Sequence, residues 1–99
     1  MTTLRILPEV EEELAAAAAW YETKRMGLGV ELIAAVNRVF EEILDAPLAS
    51  ALWRDDRTYR RTIVGRFPYV IFFQVVGDVV EVLAVAHAKR RPGYWVERS

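Results

Sequence analysis

The chain's one histidine, His87, is followed closely by three cations, Lys89, Arg90 and Arg91, and then by Tyr94. Imidazole exchanges protons near neutral pH, and guanidinium groups hold phosphate oxygens two at a time. Arg61 lies upstream in a stretch rich in β-branched and aromatic residues. These residue types suit the cleavage of RNA by its own 2′-hydroxyl. That reaction needs a base, an acid and positive charge on the developing phosphorane. His87 would serve as acid or base, Arg61, Arg90 and Arg91 as phosphate clamps, and Tyr94 as a stacking or orienting group. Each also has a plainer use. A strand-end histidine holds a hydrogen bond, an arginine pairs with a carboxylate, and a charged run solvates a sheet edge.

The elements that must position these residues fit one domain. The chain has 99 residues, of which 54% are hydrophobic, enough for a core and too many for disorder. It has no cysteine, which excludes a disulfide scaffold and a thiolate metal site. A lone histidine and carboxylates at helical-surface spacing imply no metal, and no glycine-rich loop implies a nucleotide cofactor. No apolar run, Tyr69 to Phe73 included, approaches a membrane span, and Met-Thr-Thr-Leu-Arg lacks a signal-peptide layout. A cytoplasmic protein is the expectation. Net charge is −1, divided as −5 over residues 1–49 (four basic, nine acidic) and +4 over residues 50–99 (nine basic, five acidic). The basic character is therefore local to the C-terminal half.

Thr3 to Leu7 reads as a short strand. Pro8 suits a first helical turn, where its missing N–H costs nothing, and Glu9, Glu11, Glu12 and Glu13 favour the helix N-terminus. Val10, Leu14, Ala17, Ala18 and Tyr21 share one face, with an end near Lys24 or Arg25. Gly27 and Gly29 break the pattern. A second helix to about Asp45 follows, with Leu28, Leu32, Val36, Val39, Phe40 and Ile43 as its apolar stripe. So short a link makes an antiparallel hairpin. Pro47 opens a polar connection through Trp53 to Arg57. Thr58 to Val64, Pro68 to Val76 and Val79 to Ala88 then form an antiparallel meander turning at Gly65 and Gly77-Asp78. The run Tyr69-Val-Ile-Phe-Phe is apolar on both faces and belongs at the sheet centre. The expected fold is α+β: a short N-terminal strand and a helical hairpin packed on one face of an antiparallel β-meander. The hairpin covers one face only, so the C-terminal segment or a partner must cover part of the other. If the strands bearing Arg61 and His87 flank the central one, two spacings of ~4.8 Å put these residues ~10 Å apart, enough to bracket a phosphate.

Tyr59-Arg-Arg-Thr-Ile-Val-Gly-Arg-Phe-Pro-Tyr-Val-Ile-Phe-Phe, followed by Val79 to Ala86 and then His87-Ala-Lys-Arg-Arg-Pro, resembles the RelE/ParE toxin superfamily. Pro8 with Trp20-Tyr21 is similar to that family's first helix. The resemblance covers nearly the whole chain and implies a toxin of a type II toxin–antitoxin system, neutralised by a cognate antitoxin whose tail wraps it. DNA would then be contacted only indirectly, through the antitoxin.

Within the family, RelE-like members cleave mRNA on the ribosome, whereas ParE-like members inhibit DNA gyrase without nuclease chemistry. The sequence pI of about 5.8 is low for docking on ribosomal RNA. The strand bearing Arg61 has no lysine, and a single histidine leaves an acid–base pair incomplete. The motifs from Ile63 to Tyr69 and from Ala86 to Arg91 resemble the ParE variants. Gyrase is therefore the expected target, with the ribosome and mRNA as the alternative. Tyr94, in the Pro92-Gly-Tyr-Trp tail, keeps the nuclease reading open, and an inert member kept as an antitoxin partner is a third. The expected target- or antitoxin-binding residues are Arg61, Tyr69, Phe73, His87, Lys89, Arg90, Arg91, Tyr94 and Trp95. Trp20, Trp53 and Trp95 read as core or interface aromatics. Trp20 with the alanine face could also support a homodimer or a hetero-oligomer with antitoxin.

Overall fold

A computed structural model describes residues 2–54 and 58–99. The elements run β1 (Thr3–Ile6), α1 (Pro8–Glu22), α2 (Leu28–Asp45), β2 (Ala51–Leu52), β3 (Tyr59–Val64), β4 (Tyr69–Val76), β5 (Val79–His87) and a 3₁₀ turn η1 (Val96–Arg98). The sheet order is β1-β5-β4-β3-β2, so Tyr69 to Phe73 does lie on the central strand. The meander β3-β4-β5 is antiparallel, whereas β1 joins β5 in parallel, pairing Thr3 to Ile6 with Val79 to Val82. The sheet is therefore mixed. Part of the expected Pro47–Arg57 connection is a strand: Ala51 and Leu52 pair with Arg61 and Arg60. Two residues are too few to show a period, so alternation could not reveal β2. The end of that connection, residues 55–57, lies outside the described residues.

The helices form from the stripes that bury them. Pro8 occupies the first turn of α1, and Val10 and Ala17 are buried beneath it. α2 buries Leu32, Val36, Val39, Phe40 and Ile43. The tight turn between them is built by Glu22 and two glycines. The Glu22 carboxylate accepts the backbone N–H of Gly27 (2.9 Å) and of Gly29 (2.8 Å), satisfying donors at the start of α2. Those two bonds, the larger first, hold the Glu22 carboxyl below its ordinary value. At Gly29 a Cβ would collide with the Ala18 carbonyl oxygen, so the helices approach closely only because this residue has none.

Tyr69, Ile71 and Phe73 face the hairpin, and Tyr21 of α1 packs its ring against Tyr69. Val70 and Phe72 face the opposite side. The C-terminal segment covers part of that second face: Trp95, fully buried, stacks on Phe72 with ring centroids 4.7 Å apart. Trp53 and Tyr59 close around the same indole, at 5.0 and 4.9 Å.

The β4–β5 hairpin is not regular. Val76 to Phe73 pair with Val79 to Val82 in step, but Phe72 pairs with Ala84, leaving Leu83 as an extra residue. Such a bulge turns every later side chain of β5 to the other face. This has a direct consequence for His87.

Candidate functional site

Arg61 projects from β3 opposite Phe72, on the face that carries Trp95. It is exposed, and among the described residues it has no hydrogen bond or ion pair. Beside it lies a hollow of about 300 Å³ whose lining includes Trp53, Arg54, Phe72, Arg90, Arg91, Tyr94 and Trp95. Arg54, which the sequence reading passed over, is held there by an unusual backbone. Its φ of 56° is left-handed for a residue with a side chain, and its guanidinium lies over the Trp53 ring at 4.4 Å. Arg90 lies over Tyr94 at 3.7 Å. Arg91, like Arg61, is exposed and has no ion pair among the described residues. No carboxylate lines the hollow among the described residues.

His87 does not point towards Arg61. β3 and β5 flank β4 as expected, but after the bulge His87 pairs with Tyr69 on the helix side. Its ring packs edge-on against Tyr69 at 5.4 Å, and Nδ1 accepts the backbone N–H of Lys89 at 3.1 Å. Without Leu83 as an extra residue, strand alternation would have set His87 on the Arg61 face. Arg61 and His87 therefore border the hollow from opposite faces of the sheet rather than side by side on one face. His87 touches the rim of the hollow only as a strand end, and it also borders a second, acidic groove with Glu9, Glu12 and Glu13.

Tyr94 is committed elsewhere too. Its hydroxyl donates to Glu13 Oε2 at 2.6 Å. Arg98 donates to both Glu13 oxygens, at 3.0 and 3.2 Å, and Arg90 approaches Oε2 at 3.8 Å. Glu13 also accepts the Val85 N–H at 3.4 Å, while Arg98 donates to the Leu83 carbonyl at 3.1 Å. Both β5 groups lie beyond Val82, where β1 stops, so two side chains stand in for the missing neighbouring strand. Burial, then the Glu13 hydrogen bond and charge, push the Tyr94 hydroxyl well above its ordinary value. For Arg98, burial acts downward but Glu13 outweighs it, so its guanidinium is held above the ordinary value. Burial likewise raises Tyr69, with Tyr21 adding to it. Tyr94 is thus a poor proton donor and a firm tether for the tail.

The remaining expected contact residues divide clearly. Lys89 is exposed and does not line the hollow, and Tyr69 is half-buried between α1 and His87. Phe73 and Trp95 are fully buried and present no surface to a partner. Trp20 is 55% exposed, unlike the enclosed Trp95. Sequence reading missed Glu13, Arg54 and Arg98. Glu13 had a usable signal: it sits three residues after Val10 and four before Ala17, on the buried side of α1, where a carboxylate needs a partner. Among the described residues no three His, Asp or Glu side chains gather to hold a metal, and no helix is long and apolar enough to cross a membrane.

Two helices packed on a five-stranded mixed sheet with a short N-terminal strand match the fold of solved RelE- and ParE-type toxins. The structure superimposes on a chain of the chromosomal ParDE toxin–antitoxin system from P. aeruginosa with TM-score 0.67 at 18% identity, covering 88% of this chain and 96% of that one. It matches the isolated E. coli RelE toxin with TM-score 0.67 at 20% identity, covering 99% and 98%. No curated protein sequence matches the chain. The sequence profile of the ParE toxin of the type II toxin–antitoxin system parDE matches residues 4–92. The chain belongs to the ParE toxin family of type II toxin–antitoxin systems. Membership implies a cognate antitoxin as partner.

Proposed function

We propose that this toxin arrests growth by binding DNA gyrase without performing chemistry on it, with the Arg61 hollow and the Lys89-Arg90-Arg91 segment as its contact surface. The observation that carries this reading is the division between charge and proton transfer. The hollow gathers guanidinium groups able to hold an anion. The two side chains that would have to move protons border the hollow but are engaged: His87 is turned to the helix face against Tyr69, and Tyr94 donates to Glu13. A clamp without an acid or base binds but does not cleave. An sequence pI of about 5.8 also disfavours docking on ribosomal RNA, where affinity rests on neutralising phosphates.

The antitoxin-free protein should inhibit supercoiling by purified gyrase and leave ribosome-bound message intact. Unimpaired supercoiling at high molar excess of toxin removes this reading. The guanidinium cluster itself favours the second reading, a ribosome-dependent endoribonuclease, because the same charges would stabilise a phosphorane. Cleavage of message on translating ribosomes, abolished by His87→Ala, would establish it.

A further inference from the structure

We propose that the hollow beside Arg61 is a carboxylate-binding site that takes an acidic segment of a protein partner. This rests on the hollow being a contact surface, as argued above, and adds the chemistry of what it contacts.

Charge comes first. Arg61 and Arg91 border the hollow with no counter-ion among the described residues, and Arg54 and Arg90 add two more guanidinium groups. Ring faces come second, and they separate a peptide from a nucleic acid. Single strands bind proteins by stacking successive bases on open aromatic faces. Here the rings are already engaged: Trp53 lies under Arg54 at 4.4 Å, Tyr94 has Arg90 over its ring at 3.7 Å and Arg98 at 5.2 Å, and Phe72 is stacked on Trp95. What the hollow offers is guanidinium N–H edges, and these match the two oxygens of a carboxylate.

The neighbouring charge pattern points the same way. The groove on the α1 side carries Glu9, Glu12 and Glu13 and shares His87 and Arg90 with the hollow. A nucleic acid bears charge at every nucleotide and would be repelled as soon as it left the hollow on that side. A peptide places its carboxylates only where they are wanted. The backbone under Arg61 is fixed, because β3 pairs there with both Ala51 and Phe72, so only its side chain must be ordered on binding.

The test is fluorescence anisotropy of the whole protein with a short labelled peptide alternating Glu and Leu. Its Gln-for-Glu counterpart and single-stranded DNA and RNA of equal length serve as competing probes. Saturable peptide binding is expected, with the Gln peptide and both oligonucleotides at least about tenfold weaker. Arg61→Gln and Arg91→Gln should each weaken the peptide about tenfold while circular dichroism stays unchanged, since neither side chain has a partner among the described residues. Absence of peptide binding, indifference to both substitutions, or oligonucleotide binding as tight as the peptide's would each overturn the proposal. Gyrase inhibition is a separate readout. If the peptide binds but supercoiling is untouched, the site stands and the gyrase reading fails; the reverse pattern rejects the site alone.

Discussion

Arg61 and His87 stand on opposite faces of one sheet, because Arg61 pairs with Phe72 and His87 with Tyr69 across the same central strand. Leu83, the bulged residue of β5, is what separates them. His87 therefore meets the cationic hollow only at its rim, with its ring turned to Tyr69 and the helix side.

Glu13 ties the tail to α1, so Glu13→Gln should destabilise the fold by about 2–3 kcal/mol. The loss is that of the ionic partner of Arg98, since the neutral amide still offers Tyr94 an acceptor. With Glu13 and Arg98 side chains only 14% and 18% exposed, water replaces little of what is removed. Urea unfolding of the variant measures this directly. Unchanged stability would mean that the tail is held by Trp95 alone.

Trp95→Ala tests the other half of the same attachment. The indole is fully enclosed by Trp53, Tyr59 and Phe72, so its removal should cost about 3–5 kcal/mol. Exposure of the second sheet face should also raise binding of a hydrophobic dye. A loss below about 1 kcal/mol in chemical denaturation would contradict the packing described.

At the hairpin, Gly29→Ala should destabilise by about 1–3 kcal/mol, because the new methyl group meets the Ala18 carbonyl oxygen and the helices must separate. Gly65→Ala is the control, since nothing lies within 4 Å of a Cβ there. Thermal unfolding should separate the two variants clearly.

Acid should weaken the same corner. Glu22 is held below its ordinary value of 4.5 by the backbone N–H groups of Gly27 and Gly29, and Glu31 below 4.5 by Arg66 and then Arg25. A carboxyl lowered in the folded state contributes stability above its unfolded value, and that contribution disappears as pH falls through the folded value. Stability should therefore decline below pH 4.5. Glu22→Gln should flatten the decline, and identical pH profiles for variant and parent would reject the capping role of Glu22.

The helices and the meander were legible in the sequence because their apolar residues keep a steady period. Val10, Ala17 and Tyr21 mark one face of α1, and Leu32, Val36 and Ile43 mark one face of α2. The side of Arg61 followed from alternation along β3. His87 was not legible in the same way, because an unbroken count from the Gly77-Asp78 turn passes Leu83 without a sign that it is extra. Val82, Leu83 and Ala84 are all fully buried, so hydropathy does not mark the bulge either. β2 was hidden by its length. The Glu13–Tyr94–Arg98 cluster joins residues more than eighty positions apart, beyond the reach of any local pattern.

The separation of charge from proton transfer is tested most directly by comparing His87→Ala and an Arg61→Gln/Arg91→Gln double variant in a gyrase supercoiling assay. The prediction is that His87→Ala inhibits gyrase as the parent does, whereas the double variant loses inhibition at least about tenfold. Loss of toxicity in His87→Ala, together with message cleavage by the parent on translating ribosomes, would contradict it.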